Sequence, residues 1–103
     1  MTATEHSAHP RHRLSEILQN PVRFSIAAAL DKAEKLSFRE VRDAIEVSDS
    51  VLSKQVSLLE QAGYVIVQKG FVGKVPRTTL LLSTAGRAAW RAHLAALREI
   101  AGP

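Results

Sequence analysis

The sequence predicts a mostly α-helical domain with a small β-hairpin, an α+β fold, and three observations predict it. Apolar residues recur at helical spacing through most of the first sixty positions. Directly after Gly63 the pattern changes to a β-branched and aromatic run. At Ser83 the helical period returns and holds to about Ile100. A chain of 103 residues with 46% hydrophobic and 23% charged residues has the length and composition of one globular domain. Such a chain buries somewhat over ~60% of its unfolded surface, enough for a core. Cysteine is absent, which excludes disulfides, thiolate metal sites and cysteine nucleophiles. No apolar run reaches the roughly 18 residues of a membrane span. The start, with Glu5, His6, Pro10, Arg11 and Arg13, lacks the apolar stretch of a signal peptide. The expectation is a cytoplasmic protein with no membrane partner.

Residues 1–10 are small, polar and aperiodic and read as a flexible arm; residues 11–101 read as the domain. Leu14, Ile17 and Leu18 predict a short amphipathic helix over Arg11 to Gln19. Asn20 is a good N-cap and Pro21 a good first helical residue, so a second helix runs from here to about Lys32. Val22, Ile26, Ala29, Leu30 and Ala33 share one side of it, and Phe24, Ala27 and Ala28 another, so it is buried on two sides. Leu36 to Phe38 reads as an extended link. Ser37 with Glu40 has the form of a capping box and opens a helix to about Ile45, with Val41, Ala44 and Ile45 inward. Ser48 caps a further helix, Asp49 suits its positive end, and Gly63 stops it after Ala62. Tyr64 to Gln68 and Arg77 to Leu82 form the hairpin, with a loop over Gly70 to Val75. Pro76 lacks a ladder donor, which predicts pairing only beyond it. Ser83 caps the last helix. Short helices joined by a tight turn and followed by a hairpin form the layout of a winged helix-turn-helix.

The helix from Ser48 to Ala62 carries the candidate site. With Ser50 at the zero of a helical wheel, Ser53, Lys54 and Ser57 lie within about 60° of it. Leu52, Val56, Leu59 and Ala62 lie opposite. A helix face that is merely solvated usually carries long Glu and Lys side chains. This one is short and flat, so it can approach a surface closely. Hydroxyls can donate to phosphates or base edges, and a Lys can reach phosphate or guanine. Gln55 falls at the edge of the apolar side, although a Gln could read adenine there. Lys69, Lys74 and Arg77 flank the hairpin loop, and such a basic loop can follow phosphates or enter a minor groove. Phe71 and Val72 at its tip are expected to pack back on the hairpin, the alternative being contact with sugars.

The charge distribution agrees with a polyanionic partner. Net charge is +4, and every acidic residue except Glu99 lies between Glu5 and Glu60. From Gln61 to Arg98 the chain carries Lys69, Lys74, Arg77, Arg87, Arg91 and Arg98 with no Asp or Glu. Polyanions, nucleic acid first, are the natural partners of an unopposed positive field, and with the α-helical face above the expected one is double-stranded DNA; the alternative is a solvated basic face without a partner.

Leu52-Ser53-Lys54-Gln55-Val56-Ser57-Leu58-Leu59-Glu60-Gln61-Ala62-Gly63-Tyr64-Val65 resembles the recognition helix and first wing strand of the MarR/ArsR-like winged-helix regulators of bacteria. Lys69 to Lys74, Pro76 to Thr79 and Leu82 to Arg87 look like the wing and last-helix start of a small stand-alone subgroup, and Asn20 to Arg23 like its opening. The resemblance spans roughly residues 14 to 97. It implies a dimeric transcription regulator, with the helix after Ser48 in the major groove and the Lys69–Arg77 wing on the flanking backbone or minor groove. Ser53 and Lys54 match the family's contact positions. Val75 departs from the pattern, where a basic wing residue is expected, and Gln55 stands where relatives often carry His.

The last helix is apolar over too wide an arc for one small core. Alanines at 88, 89, 92, 95 and 96 lie broadly on one side, and Trp90, Leu94, Leu97 and Ala101 on another. This helix and the Leu14–Leu18 segment are expected to form a twofold homodimer interface, unless both simply close the monomer's own core. Two recognition helices would then address half-sites roughly 34–36 Å apart on a near-palindromic operator. His6, His9, His12 and His93 lack carboxylate or cysteine support, so neither a metal nor a cofactor is expected. No nucleophile elbow, phosphate loop or paired carboxylates appear, so the chain is not expected to be an enzyme. The candidate DNA-binding residues are Ser50, Ser53, Lys54, Ser57, Lys69, Lys74 and Arg77. Repression is the expected sense of regulation, with room for a small-molecule effector. The alternative is a winged-helix protein-interaction or dimer-scaffold module.

Overall fold

A computed structural model describes residues 8–102. Most of the expected arm, residues 1–7, lies outside the described residues. Two 3-10 turns, Pro10–Arg13 and Ile17–Gln19, lead into α1 (Pro21–Asp31), β1 (Leu36–Ser37), α2 (Phe38–Ile45), α3 (Asp49–Gln61), β2 (Val65–Val72), β3 (Val75–Leu82) and α4 (Thr84–Ala101). The sheet is antiparallel with strand order β1-β3-β2. The fold is a winged helix-turn-helix: α2 and α3 with their turn, then the β2–β3 hairpin as the wing.

The local stop and start signals act as expected. The Asn20 side chain accepts from the Val22 and Arg23 N–H groups, and Pro21 takes the first helical position, where no intrahelical bond is lost. Ser37 and Glu40 form a reciprocal capping box, with Ser37 Oγ accepting from the Glu40 N–H and Glu40 Oε1 from the Ser37 N–H. Ser48 Oγ accepts from the Val51 N–H at 3.2 Å and Ser83 Oγ from the Gly86 N–H at 2.9 Å. Glu46, at φ 57°, ends α2 in the left-handed region and turns the chain toward α3. Gly63, at φ 82°, ends α3 where a side chain would be strained.

Helix α1 runs through the core. Its Ile26, Ala27 and Leu30 are fully buried, and they meet Leu18, Val41, Leu52, Val56, Leu59, Val65, Leu80, Leu82 and Trp90. Phe24 packs on Trp90 at 4.8 Å between ring centroids and edge-on to His93 at 5.9 Å. The helix is thus buried on both expected sides.

Several expectations fail. Arg11 to Gln19 is not one helix. Leu14 is extended (φ −69°, ψ 142°), and the Ser15 N–H donates to His93 Nδ1 on α4 at 3.0 Å. The Arg11 carbonyl that an α-helix would offer Ser15 accepts from Leu14. Leu36–Ser37 is more than a link: it pairs with Leu80 and Thr79, making a third strand. The hairpin is longer than expected, with Val72 opposite Val75 and a two-residue Gly73-Lys74 turn in which Gly73 has φ 63°. Gly70 therefore lies within β2, opposite Arg77, and not in the turn. Pro76 sits inside β3, opposite Phe71. Bonded and non-bonded pairs alternate from the turn, so Phe71–Pro76 is a non-bonded pair and the missing N–H costs no ladder bond. Ala44 and Ala62, expected inward, are exposed.

Candidate nucleic-acid interface

Helix α3 is held by its buried side. Leu52, Val56 and Leu59 are in the core, and this fixes the rotation of the helix. Ser50, Ser53, Lys54 and Ser57 are consequently all exposed on the outer face. Ser50 Oγ lies 3.3 Å from the capping Ser48 Oγ. At the N-terminus, Arg42 of α2 reaches across the turn to Asp49 Oδ1 at 2.9 Å and also holds Asp43 at 3.0 Å. The Asp49 hydrogen bond is the larger influence holding the Arg42 guanidinium more firmly protonated.

Gln55 is occupied from inside. Its Oε1 accepts from Arg23 Nη1 at 2.7 Å, and Arg23 Nε donates to the Ile17 carbonyl at 2.7 Å. It is half-buried, as its place at the edge of the apolar side requires, and it braces α3 against α1.

The wing stands beside that face. Lys69 and Thr78 of the hairpin share a groove with Ser53, Ser57 and Glu60 of α3, floored by Phe38, Val56, Val67 and Leu80. Lys74 is at the turn and exposed. Arg77 is half-exposed, and its Nη2 lies 3.7 Å from Glu40 Oε1, so this cation leans on a carboxylate of α2. The Ser37 backbone N–H, then its hydroxyl, and Arg77 hold the Glu40 carboxyl below the usual carboxylate range. Of the candidate residues, Ser53, Ser57 and Lys69 thus share one groove, Arg77 lines another, and Lys54, Lys69 and Lys74 are in no ion pair among the described residues.

A second groove runs between β3, toward the tip of the wing, and α2. It is lined by Arg39, Arg42 and Asp49 with Val75, Pro76 and Arg77. Arg39, exposed and lining the same groove as Arg77, carries no signal in the sequence. Its helix gives it no distinctive spacing, and only folding brings it to the wing.

The wing tip departs from expectation. Phe71 does not pack back on the hairpin; it is 72% exposed, and Val72 and Val75 are exposed with it. Pairing continues to the two-residue Gly73-Lys74 turn, which carries these side chains out beyond the core.

Two histidines, His9 and His93, are engaged singly. His9 Nδ1 accepts from the Arg11 N–H at 3.1 Å, and His93 is buried with Nδ1 on Ser15. His6 lies outside the described residues. Among the described residues no cluster of three His, Cys, Asp or Glu could hold a metal, and no helix is long and apolar enough to cross a membrane.

Comparison with known proteins agrees with this geometry. A transcriptional regulator homologue from Pyrococcus horikoshii OT3 superposes with a TM-score of 0.80 at 26% identity, covering 84% of this chain and 86% of that one. The transcriptional repressor BigR from Xylella fastidiosa gives 0.68 at 22% identity, covering 91% and 89%. BpsR of Bordetella bronchiseptica, whose DNA binding is regulated by 6-hydroxynicotinic acid, gives 0.71 at 15% identity, covering 96% and 74%. At their identities the last two speak for the fold alone. No curated protein sequence matches the chain. The model of the winged helix DNA-binding domain matches residues 22–101, from α1 to the end of α4. That family binds DNA and is not a family of enzymes, so the likeness expected from the α3 and wing motifs holds: the chain belongs to the winged helix DNA-binding domain family.

Proposed function

We propose that this chain is a sequence-specific, homodimeric transcriptional regulator, one domain over residues 11–101, acting as a repressor in the cytoplasm. Helix α3 enters the major groove of a near-palindromic operator, and the Lys69–Arg77 wing lies on the flanking backbone or minor groove. The observation that carries the proposal is the outer face of α3: Ser50, Ser53, Lys54 and Ser57 are exposed together while the opposite face is locked in the core. In this reading Lys54 reads a base or a phosphate, the three hydroxyls hydrogen-bond at close approach, and Lys69, Lys74 and Arg77 neutralise phosphates. Arg77 would exchange Glu40 for phosphate as it does so.

The dimer rests on the end of α4. Leu97 and Ile100 continue the side on which Gly86, Trp90 and His93 are buried, yet both are exposed because the helix outruns the core. Ala88, Ala92 and Ala95 are exposed on the outer side and allow close approach of a second helix. A twofold pairing there supplies the two half-site readers that an operator of this kind needs. A small-molecule effector, as BpsR has, would act between such a dimer interface and the winged body.

Selection of duplexes from a random library, followed by titration with Lys54→Ala, tests the proposal. Loss of about 1–3 kcal/mol on the selected duplex alone marks Lys54 as a base reader. Equal loss on selected and random duplex marks it as a phosphate contact. No loss on either removes the α3 face from the site. A protein-interaction module, the competing reading, selects no duplex and has no salt-dependent DNA binding, whereas a DNA binder loses affinity with a log–log slope of about −0.9 per phosphate contacted.

A further inference from the structure

The wing ends in an apolar tip. Phe71, Val75 and Val72 are the three most exposed large apolar side chains among the described residues, and Pro76 is exposed opposite Phe71. Exposed large apolar side chains gathered at one tip mark a contact surface more often than scattered single residues do. Paired residues of an antiparallel hairpin share a face, so the pairs sort by alternation. Val65–Leu82, Val67–Leu80, Lys69–Thr78 and Phe71–Pro76 lie on one face. At its base that face is core. One pair further out, Lys69 and Thr78 line the groove shared with Ser53 and Ser57. Phe71 follows about 7 Å beyond Lys69 along the strand. A body lying against the exposed face of α3 and along that groove therefore meets Phe71 next. Lys69 and Lys74 border the tip, and no acidic residue occurs from Gln61 to Arg98. The partner must offer apolar surface framed by anions. Deoxyribose walls between two rows of phosphate fit that description.

We propose that Phe71, backed by Pro76, is an apolar wedge for the minor groove of duplex DNA. It lies against the sugars at the flank of the segment read by α3, with Lys69 and Lys74 on the bordering phosphates. This rests on the DNA-binding reading above and refines it: the wing adds an affinity component that does not depend on salt. Val75, where a basic residue would ordinarily make the wing electrostatic, lies with Val72 on the opposite face of the tip and leaves that face uncharged as well. Apolar wedges in the minor groove widen it and favour easily deformed steps, so the flanks of the preferred duplex are A·T-rich or carry pyrimidine–purine steps.

The test uses the full chain and a duplex selected by the wild-type protein. Phe71 is exposed, so Phe71→Ala keeps its fold, as an unchanged thermal melt will verify. Phe71→Ala is expected to weaken binding about ten- to a hundredfold, the equivalent of burying one aromatic side chain, with an unchanged salt slope. Phe71→Leu recovers most of that loss. Lys69→Ala instead lowers the slope by about 0.9. Replacing flank adenines by 2,6-diaminopurine adds a minor-groove amino group and leaves the major-groove edge unaltered. This weakens the wild type and not Phe71→Ala. Equal affinity of Phe71→Ala and wild type overturns the proposal, as does a loss that comes with a reduced salt slope. So does an effect of Phe71→Ala on self-association or on binding to anionic lipid vesicles without one on DNA. Failure of the underlying reading looks different: the wild type then selects no duplex, which sinks both. If Lys54→Ala weakens binding and Phe71→Ala does not, only the wedge is lost.

Discussion

Gly86→Ala separates helix propensity from tertiary packing. Gly86 is the third residue of α4, is buried, and has no positive φ. Propensity alone makes the substitution favourable by roughly 0.5–1 kcal/mol. The structure reverses the sign. A Cβ at position 86 would lie 2.8 Å from the Tyr64 carbonyl carbon, 2.9 Å from its Cα and closer still to its oxygen. Restoring only the carbon to an ordinary 3.4 Å contact parts the two backbones by about 0.6 Å, and the oxygen demands more. Neither side can yield easily. The Tyr64 oxygen accepts from the Ser83 N–H at 3.0 Å, and the adjacent Val65 is locked in the core. Overpacking against backbone at such a site costs about 3 kcal/mol or more, which leaves a net loss of about 2 kcal/mol or more after the propensity gain. For a domain of this size each kcal/mol lowers Tm by roughly 4–8 °C, so a fall of about 8–16 °C is expected by calorimetry or far-ultraviolet circular dichroism. An unchanged or raised Tm would falsify the close-approach argument and with it the docking of α4 on the start of β2.

Two further predictions concern α4. Leu97→Glu with Ile100→Glu changes exposed side chains only, so the chain should keep its melt yet sediment as a monomer and lose operator binding; a persistent dimer puts the interface elsewhere. Burial pushes the His93 pKa below its ordinary 6.5, and the Ser15 N–H pointing at Nδ1 leaves no room there for a second proton. The unfolded chain therefore binds more protons as pH falls through 6.5: this contribution is fully present above that value and is lost progressively below it. Melts at stepped pH should show Tm level above about pH 7 and falling below 6.5, a fall that His93→Gln removes. A wild-type Tm that is flat down to pH 5 would contradict it.

Signals that act over three or four residues were readable from sequence. The Asn20 cap, the Ser37–Glu40 capping box, the Ser48 and Ser83 caps and the Gly63 stop each depend on backbone groups next to the residue that satisfies them. The outer face of α3 was readable for a related reason: the apolar side fixes the rotation, and the polar side follows. What was not readable depended on distant partners. His93, 78 residues away, takes the Ser15 N–H and breaks the expected first helix. Pro76 looked like a strand boundary because its missing donor was visible while its register was not. Phe71 was expected to fold back because apolar side chains usually find cover, but the tight Gly73-Lys74 turn carries it beyond any. Gly86 gave no signal at all, since only the approach of α4 to Tyr64 makes a hydrogen the one side chain that fits.

Arginines and lysines divide the work around the candidate interface. Arg42 ties α2 to Asp49 at the start of α3, Arg23 ties α1 and the Ile17 carbonyl to Gln55 in its middle, and Arg77 leans from the wing onto Glu40 of α2. Arg87 joins α4 to Asp31 at the end of α1, and Arg13 joins the first turn to Glu99. The planar fork of a guanidinium suits such fixed partners. Pairs this exposed contribute at most about 1 kcal/mol each, so their main effect is on orientation: they set the angle of α3 and the wing relative to α1 and α2. Among the described residues, Lys54, Lys69 and Lys74, on the elements those arginines orient, pair with no carboxylate. A flexible ammonium without an internal partner keeps its full charge for an external anion and can adapt to the spacing of phosphates. Rigid elements braced by arginine, carrying mobile lysines, place positive charge accurately without holding it in advance.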